Sequence, residues 1–409
     1  MNANTDSALT RLLQPLAVDS FFNTYWEKSP VHIERNEPEK NTEQYFSDIL
    51  SIDAIDTLLS SGDLYFPDVQ LIKQPDTISA DQYTNSDKRI LPLRLIEHYT
   101  AGATLTVARA DTKIATLGAY CRQLQSEWQM TSHANLYLSP PGHQGFKPHY
   151  DSHDVFIIQV SGTKQFNFYT NNVELPFNED RFDADSFEPG EQTDQLTLTP
   201  GDTLYIPRGI THDAIAHDQS PSLHITLGVY PVTVRDLLQD LIQVAADTDV
   251  RFRQSMPLME TPTADNEQAV ISPNNEKLLT SLISRVATKE HIDRTLAMYQ
   301  QQIALECRQD SRGVLTSQHV SHPLTETSVI DVRTGMVFGI DTSTINGGTV
   351  TTVRSPGQII EFHEPMGSAA RWILEQQSTT IGEIPALDTE QKFALVDRLH
   401  RQNIISLRS

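Results

Sequence analysis

Residues 135–169 read NLYLSPPGHQGFKPHYDSHDVFIIQVSGTKQFNFY, and this stretch decides the fold. It holds three short runs, NLYLSP, DVFIIQV and KQFNFY, rich in β-branched and aromatic residues and bounded by Pro, Gly, Asn and Asp, the composition of strands. Ser161-Gly162-Thr163 supplies a turn between the second run and the third, and Pro200-Gly201-Asp202 supplies another ahead of DTLYIP. Working outward, ANLYLSP, DVFIIQV, KQFNFYT, QLTLTP, DTLYIP and SLHITLGVY all fall between 133 and 230. Six strands in so short a span predict a jelly-roll, or cupin, core.

The flanks are helical. VDSFFNTYWEK (18–28) places apolar groups at helical spacing after Asp19 as a cap, and Pro30 then precedes an extended VHIER. Further helices are predicted over 53–60 and 112–129, the second burying Ile114, Leu117, Tyr120, Leu124 and Trp128 on one face. After Tyr230 come VRDLLQDLIQVAADT, a polar loop TPTADNEQ, and the helical EKLLTSLISRVA and HIDRTLAMYQQQIALEC. Beyond 328, strand-like VFGIDTS and IIEFHE, a helix GSAARWILEQQ, and DTEQKFALVDRLHRQNIISL read as a small winged-helix-like module. The expected class is α+β: a double-stranded β-helix core with its helical entry in 1–232, a helical domain in 233–327 and a winged-helix-like domain in 328–409.

Composition narrows the chemistry. At 409 residues with 38% hydrophobic and 21% charged residues, the chain has the make-up of a globular protein of more than one domain. No apolar run approaches the roughly 20 residues of a membrane helix. The opening MNANTDSALTRLLQPLAVDSFF lacks the basic and apolar segments of a secretory signal, so a cytoplasmic protein is expected. Only two cysteines occur, Cys121 and Cys307, without a CxxC cluster, so any metal must be held by His and carboxylate. The net charge of −22 disfavours a phosphate backbone and suits a basic partner, or serves solubility alone. Within the winged-helix-like segment, Met366–Ser409 carries five Lys/Arg against five Asp/Glu, which argues against DNA binding there.

His149-Tyr150-Asp151 puts an imidazole and a carboxylate at i and i+2 of an extended segment, hence on one face. GDTLYIPRGITH (201–212) then passes through a Pro-Arg-Gly turn to His212. Two His and one carboxylate form the facial triad of non-haem Fe(II) oxygenases, which leaves three coordination positions open for 2-oxoglutarate and O₂. Lys164, starting the strand after DVFIIQV, is the candidate cation for the distal carboxylate of 2-oxoglutarate. His143, His153, His217 and His224 are surplus to a triad, His224 being the candidate neighbour of the ligands because it lies on an inward-alternating strand. Asp154 reads as orienting the loop after the triad, and Arg208 as a brace for the turn that presents His212.

With those residues in place, NLYLSPPGHQGFKPHYDSHDVFIIQVSGTKQF and GDTLYIPRGITHDAIAHDQSPSLHITLGV resemble the cupin-4 branch of JmjC oxygenases, which includes bacterial and eukaryotic ribosomal oxygenases. YWEKSPVHIER is similar to the family's N-terminal entry. The resemblance implies His149, Asp151 and His212 as iron ligands, Lys164 as the partner of the 2-oxoglutarate distal carboxylate, Asn135 as a further cosubstrate contact and Tyr137 as a wall of the substrate pocket. It also implies a helical dimerisation domain, hence a homodimer, and a C-terminal winged helix. Two departures stand out: histidyl-hydroxylating members carry a serine where this chain has Gly228, and the arginine-hydroxylating type, the closer precedent in that strand, carries an arginine where this chain has Lys164. The sequence therefore predicts an oxygenase that hydroxylates an arginine or histidine side chain of a protein or peptide, a basic ribosomal protein among the candidates. Its rivals are a small-molecule hydroxylase of the same chemistry and a non-catalytic cupin binding module.

Overall fold

The structure, a computed structural model, describes residues 7–35, 45–74, 78–143, 146–180, 182–216, 220–255, 273–312, 314–315, 324–345 and 347–408. Two compact units emerge, one made of 1–231 with 306–409 and the other of 232–305. The loop predicted at 261–268 lies outside the described residues.

The first unit opens with helices α1 (Ala8–Leu13) and α2 (Val18–Thr24) and strand β1 (Val31–Ile33). The N-cap of α2 is Ala17, and Asp19 sits inside the first turn, where its charge favours the helix N-terminus without capping it. Then follow α3 (Ile52–Ser61), β2 (Val69–Ile72), α4 (Pro92–Thr100), β3 (Thr104–Val107) and α5 (Ala115–Trp128). The β core comprises β4 (Thr131–Ser139), β5 (Asp154–Ser161), β6 (Lys164–Tyr169), β7 (Gln192–Leu198), β8 (Thr203–Ile206), β9 (His212–Ala216) and β10 (Ser222–Tyr230).

These strands form two antiparallel sheets, one ordered β1-β8-β5-β10-β4-β3-β2 and the other β7-β6-β9. The two predicted turns hold, with φ of +63° at Gly162 and +96° at Gly201. The period of two sorts every side chain on the large sheet. Phe156, Ile158 and Val160 of β5, Leu223, Ile225, Leu227 and Val229 of β10, and Ala134, Leu136 and Leu138 of β4 face the helices, packing with Phe21, Leu117, Leu124 and Trp128. The opposite face of β5 sends Val155 and Ile157 into the space between the sheets, against Phe166, Phe168, Leu198, Leu204 and Ile206. On β4 and β10 that inward row is polar: His133, Asn135, Tyr137 and Ser139 beside Gly228, Thr226, His224 and Ser222. A polar row inside an otherwise apolar barrel is where chemistry is expected.

An ion-pair network fixes the turn after β8. Arg208 donates to Glu27 Oε1 (2.5 Å) and Asp154 Oδ2 (2.8 Å), and the Tyr205 hydroxyl donates to Asp154 Oδ1 (2.6 Å). Arg208 is thus a brace for the turn. Asp154 opens β5 fully buried, its carboxylate taken by Tyr205 and Arg208, as a carboxylate at that depth needs a guanidinium partner. Arg208→Ala would strand that carboxylate, and we expect a stability loss of about 3–5 kcal/mol, read as a lower urea midpoint.

Within the same unit, residues 306–408 supply β11 to β16 and two helices. Strands β11 (Val329–Val332), β15 (Ser378–Thr380) and β16 (Ile405–Arg408) make one sheet, and β12 (Gly339–Ile345), β13 (Gly348–Ser355) and β14 (Gln358–His363) another. Helices α9 (Met366–Glu375) and α10 (Thr389–Arg401) pack on them around Ile330, Phe362, Ile373 and Leu399. This segment is tied to α5 by Arg122–Asp310 (2.8 Å) and by the Cys307 thiol on Gln125 Oε1 (3.1 Å). The second unit is built from α6 (Val234–Thr248), α7 (Pro273–Val286) and α8 (Lys289–Glu306), with a capping box formed by Thr233 and Asp236 at the start of α6.

Candidate metal centre

His149 and His212 come together as an isolated β-bridge at the edge of the smaller sheet: each backbone N–H donates to the other's carbonyl, at 3.0 and 2.8 Å. His212 opens β9, pairing with Phe168 of β6. Asp151 is held two residues further on by the Gly209 N–H donating to its carbonyl (2.8 Å). One potential ligand atom from each of His149, Asp151 and His212 lies within 4.8 Å of the others.

Proton bookkeeping favours a metal. The Nδ1 of His149 lies 2.9 Å from the Lys147 carbonyl and that of His212 2.9 Å from the Ile210 carbonyl. A carbonyl can only accept, so each Nδ1 carries the proton and each Nε2 keeps a lone pair for a cation. Burial, then the neighbouring His149, pushes His212 down to about 4, so it stays neutral near pH 7. Burial acts to raise the Asp151 carboxyl, but His149, His153 and His212 outweigh it and hold it below its usual range. Two imidazole nitrogens and one carboxylate, half-buried at His149 and Asp151 and buried at His212, suit a divalent first-row metal.

Lys164 opens β6 of the smaller sheet, 3% exposed, and reaches the polar row with its Nζ donating to Ser139 Oγ (3.0 Å), which also accepts from Thr104 Oγ1 (3.0 Å). Burial alone drives its ammonium down to about 7. Among the described residues no carboxylate pairs it, so the pocket has a place for an anion from outside. His224 stacks on Tyr137 (centroids 5.0 Å apart, planes 7° from parallel), and its Nδ1 has no hydrogen-bond partner. Asn135 Oδ1 accepts from the Arg109 N–H (3.0 Å), which fixes the amide and leaves its NH₂ to serve the Tyr137 hydroxyl and the pocket.

The other histidines separate from the triad. His143 Nδ1 donates to the Pro141 carbonyl (2.6 Å), His153 stacks on Tyr230, and His217 lies outside the described residues. Sequence reasoning missed Ser139, though its place two residues beyond Tyr137 on the inward row was the available signal. It also missed Phe182, 6.0 Å from the His149 ring, and Phe187, 5.5 Å from Tyr150; both lie on the long β6–β7 connection, where no periodicity marks them.

Comparison with known proteins bears on the domain and the fold. A JmjC domain family model matches residues 113–237. Curated relatives include the bifunctional lysine-specific demethylase and histidyl-hydroxylase NO66 of Drosophila persimilis, 31% identical over 256 residues, covering 61% of this chain and 36% of that protein. The NO66 protein of Dictyostelium discoideum is 28% identical over 268 residues, covering 62% of this chain and 49% of its own length. The chain thus spans a third to a half of these two relatives. Among solved structures, E. coli ycfD superposes with a TM-score of 0.56 at 16% identity, over 96% of this chain and 98% of the other. The E. coli ribosomal oxygenase YcfD in complex with cobalt and 2-oxoglutarate superposes with a TM-score of 0.54 at 17% identity, over 96% and 99%. Among the described residues no helix is long and apolar enough to cross a membrane. A JmjC domain is thus matched over residues 113–237, and the fold of the chain is that of the superposed E. coli structures.

Proposed function

We propose that this chain is an Fe(II)- and 2-oxoglutarate-dependent oxygenase that hydroxylates an amino-acid side chain of a protein or peptide. The observation that carries the reading is the set of two imidazoles with free Nε2 atoms and a carboxylate, together with a buried ammonium that reaches the polar row of β4 at Ser139. His149, Asp151 and His212 would hold the iron, Lys164 the distal carboxylate of 2-oxoglutarate, and Asn135 a further oxygen of the cosubstrate. Bound iron supplies the activation of O₂, one oxygen atom going to the hydroxyl and the other to succinate as 2-oxoglutarate loses CO₂. The protein contributes position, with Val155, Ile157 and Phe166 packed as an apolar layer between the two sheets.

The β6–β7 connection favours a protein substrate over a small molecule. Between Glu174 and Glu191 it exposes seven carboxylates, while Phe182 and Phe187 pack by the metal site. An acidic, aromatic rim suits a basic protein surface, a ribosomal protein included. Mixing the protein with Fe(II), 2-oxoglutarate and a basic ribosomal protein should release succinate faster than without the protein substrate. No succinate under any condition would leave a non-catalytic binding module.

A homodimer belongs to the same reading. In the helical unit, Val234 (73% exposed), Leu238 (49%) and Ile242 (51%) form an apolar stripe at i, i+4 and i+8 of α6, and Ile283 (63%) is exposed on α7. Leu238→Glu with Ile242→Glu is expected to convert a dimer to monomers in sedimentation velocity; a monomeric wild type would refute the assignment. The winged-helix-like reading of 328–409 rests on α10 leading into β16, and a protein-contact or structural role suits its balanced charge. Residence in the cytoplasm accords with two buried free thiols, Cys121 and Cys307.

A further inference from the structure

The inward row has one gap. On β10, His224, Thr226 and Gly228 lie opposite Tyr137, Asn135 and His133 of β4, so Gly228 is the one position in that trio without a side chain. Its φ lies outside the left-handed region that favours glycine, so the backbone has no need of one there. The space does: a Cβ on Gly228 would stand 2.7 Å from both Cδ2 and Nε2 of His153. The imidazole of His153 occupies the room that the missing side chain leaves.

That ring is anchored. It stacks on Tyr230 with centroids 4.8 Å apart and planes 16° from parallel, and the His133 ring approaches Tyr230 at 5.6 Å. His153 follows the metal-site carboxylate Asp151 by two residues and is close enough to lower its pKa. His153, Tyr230 and His133 are each half-buried, so an incoming group can reach them. The polar row thus has two ends: Lys164 and His224 at the closed end, and a layer of three rings at the end flanking Asp151.

We propose that His153, seated on Gly228 and stacked on Tyr230, is a specificity-determining residue that sets the size and shape of the subsite receiving the target side chain. The inference rests on the oxygenase reading above. Its physical content is steric: the ring fills the notch, and the target must lie against a flat imidazole–phenol surface instead of entering the space over residue 228. Loss of the ring opens the notch to bulkier side chains, and a side chain added at 228 drives the ring off Tyr230 and reshapes the same surface.

The test is a library of short peptides, each of the twenty amino acids in turn at the centre, incubated with full-length protein, Fe(II) and 2-oxoglutarate. Oxidation is read by mass spectrometry and succinate release in parallel. His153→Ala is expected to shift the ranking of central residues at least tenfold in favour of larger ones, and His153→Phe, which keeps a ring, to restore the wild-type order. Gly228→Ala should change the ranking by itself but add little once His153 is alanine, because the clash is then gone. NMR supplies a second readout: His153 ring protons shifted upfield by Tyr230 should move toward free-imidazole values in Gly228→Ala. Failure takes separate forms. A wild type that releases no succinate overturns the oxygenase reading and this inference with it. Succinate release with an unchanged ranking in His153→Ala, or with no peptide oxidised, overturns the inference alone, as do independent effects of the two substitutions.

Discussion

Alanine in place of His149, Asp151 or His212 is expected to abolish the proposed 2-oxoglutarate turnover. Even residues that only orient a metal ligand are worth 10- to 100-fold, so removal of a ligand is expected to cost more than about 100-fold. The three positions also predict a spectroscopic result that needs no substrate. Anaerobic addition of Fe(II) and 2-oxoglutarate to the apo-protein should give the weak visible charge-transfer band of a chelated keto acid, and His212→Ala should lack it. His212 is the informative control because its backbone bridge to His149 survives truncation of the side chain. Wild-type turnover in His149→Ala and Asp151→Ala would remove the triad from the mechanism.

The second large effect separates stability from function at Lys164. Its buried ammonium sits at about 7 against an ordinary 10.5, with desolvation the cause. Below pH 7 folded and unfolded chains both carry the proton, and the folded state bears the full cost of a buried charge. Between about 7 and 10.5 the unfolded chain binds the proton and the folded chain does not, so stability rises with pH across that window. Lys164→Met removes the penalty: the cosubstrate-free variant should melt higher than wild type below pH 7, the gain shrinking as pH rises. The same change deletes a charge-assisted bond to the cosubstrate, worth about 2 kcal/mol, so 2-oxoglutarate affinity should fall roughly 30-fold by calorimetric titration. In wild type, affinity should weaken as pH rises through 7, since the free site must then take up a proton to bind. A variant less stable than wild type at pH 6, or one that binds 2-oxoglutarate normally, would refute the assignment.

Much of the core was legible because its strands obey simple alternation. DVFIIQV and SLHITLGVY are sheet-interior strands with one face on the helices, and Gly162 and Gly201 mark the β5–β6 and β7–β8 turns in plain sight. Several of the elements that escaped are short or polar. VQLI and TLTV, now β2 and β3, are four residues each, too few to show a period. HDAIA escaped because His212 reads as the end of a turn, whereas it begins β9 by pairing with Phe168 far back in the chain. The site divides the same way. The HxD pair and the later His are visible as spacing, but nothing in the sequence around Lys164 says that Ser139 receives its ammonium, or that Asp154 is buried against Arg208. Those facts depend on strands brought together from a distance. The seat of His153 on Gly228 is of this kind too, being a property of two strands and not of either segment.

The reciprocal backbone bridge between His149 and His212 has a consequence for how the proposed metal would be acquired. Both imidazoles are aligned by main-chain bonds that form when the sheet forms, so the coordination face exists before any ion arrives. Such a chain folds first and loads second. Its occupancy is then a competition among ions at a finished socket, in which Ni(II), Cu(II) and Zn(II) hold the intrinsic advantage over Fe(II). The cell's supply of exchangeable iron, more than the fold, would set the fraction of molecules that are active, and protein purified without iron would carry a mixture of other metals that reflects the medium in which it was grown.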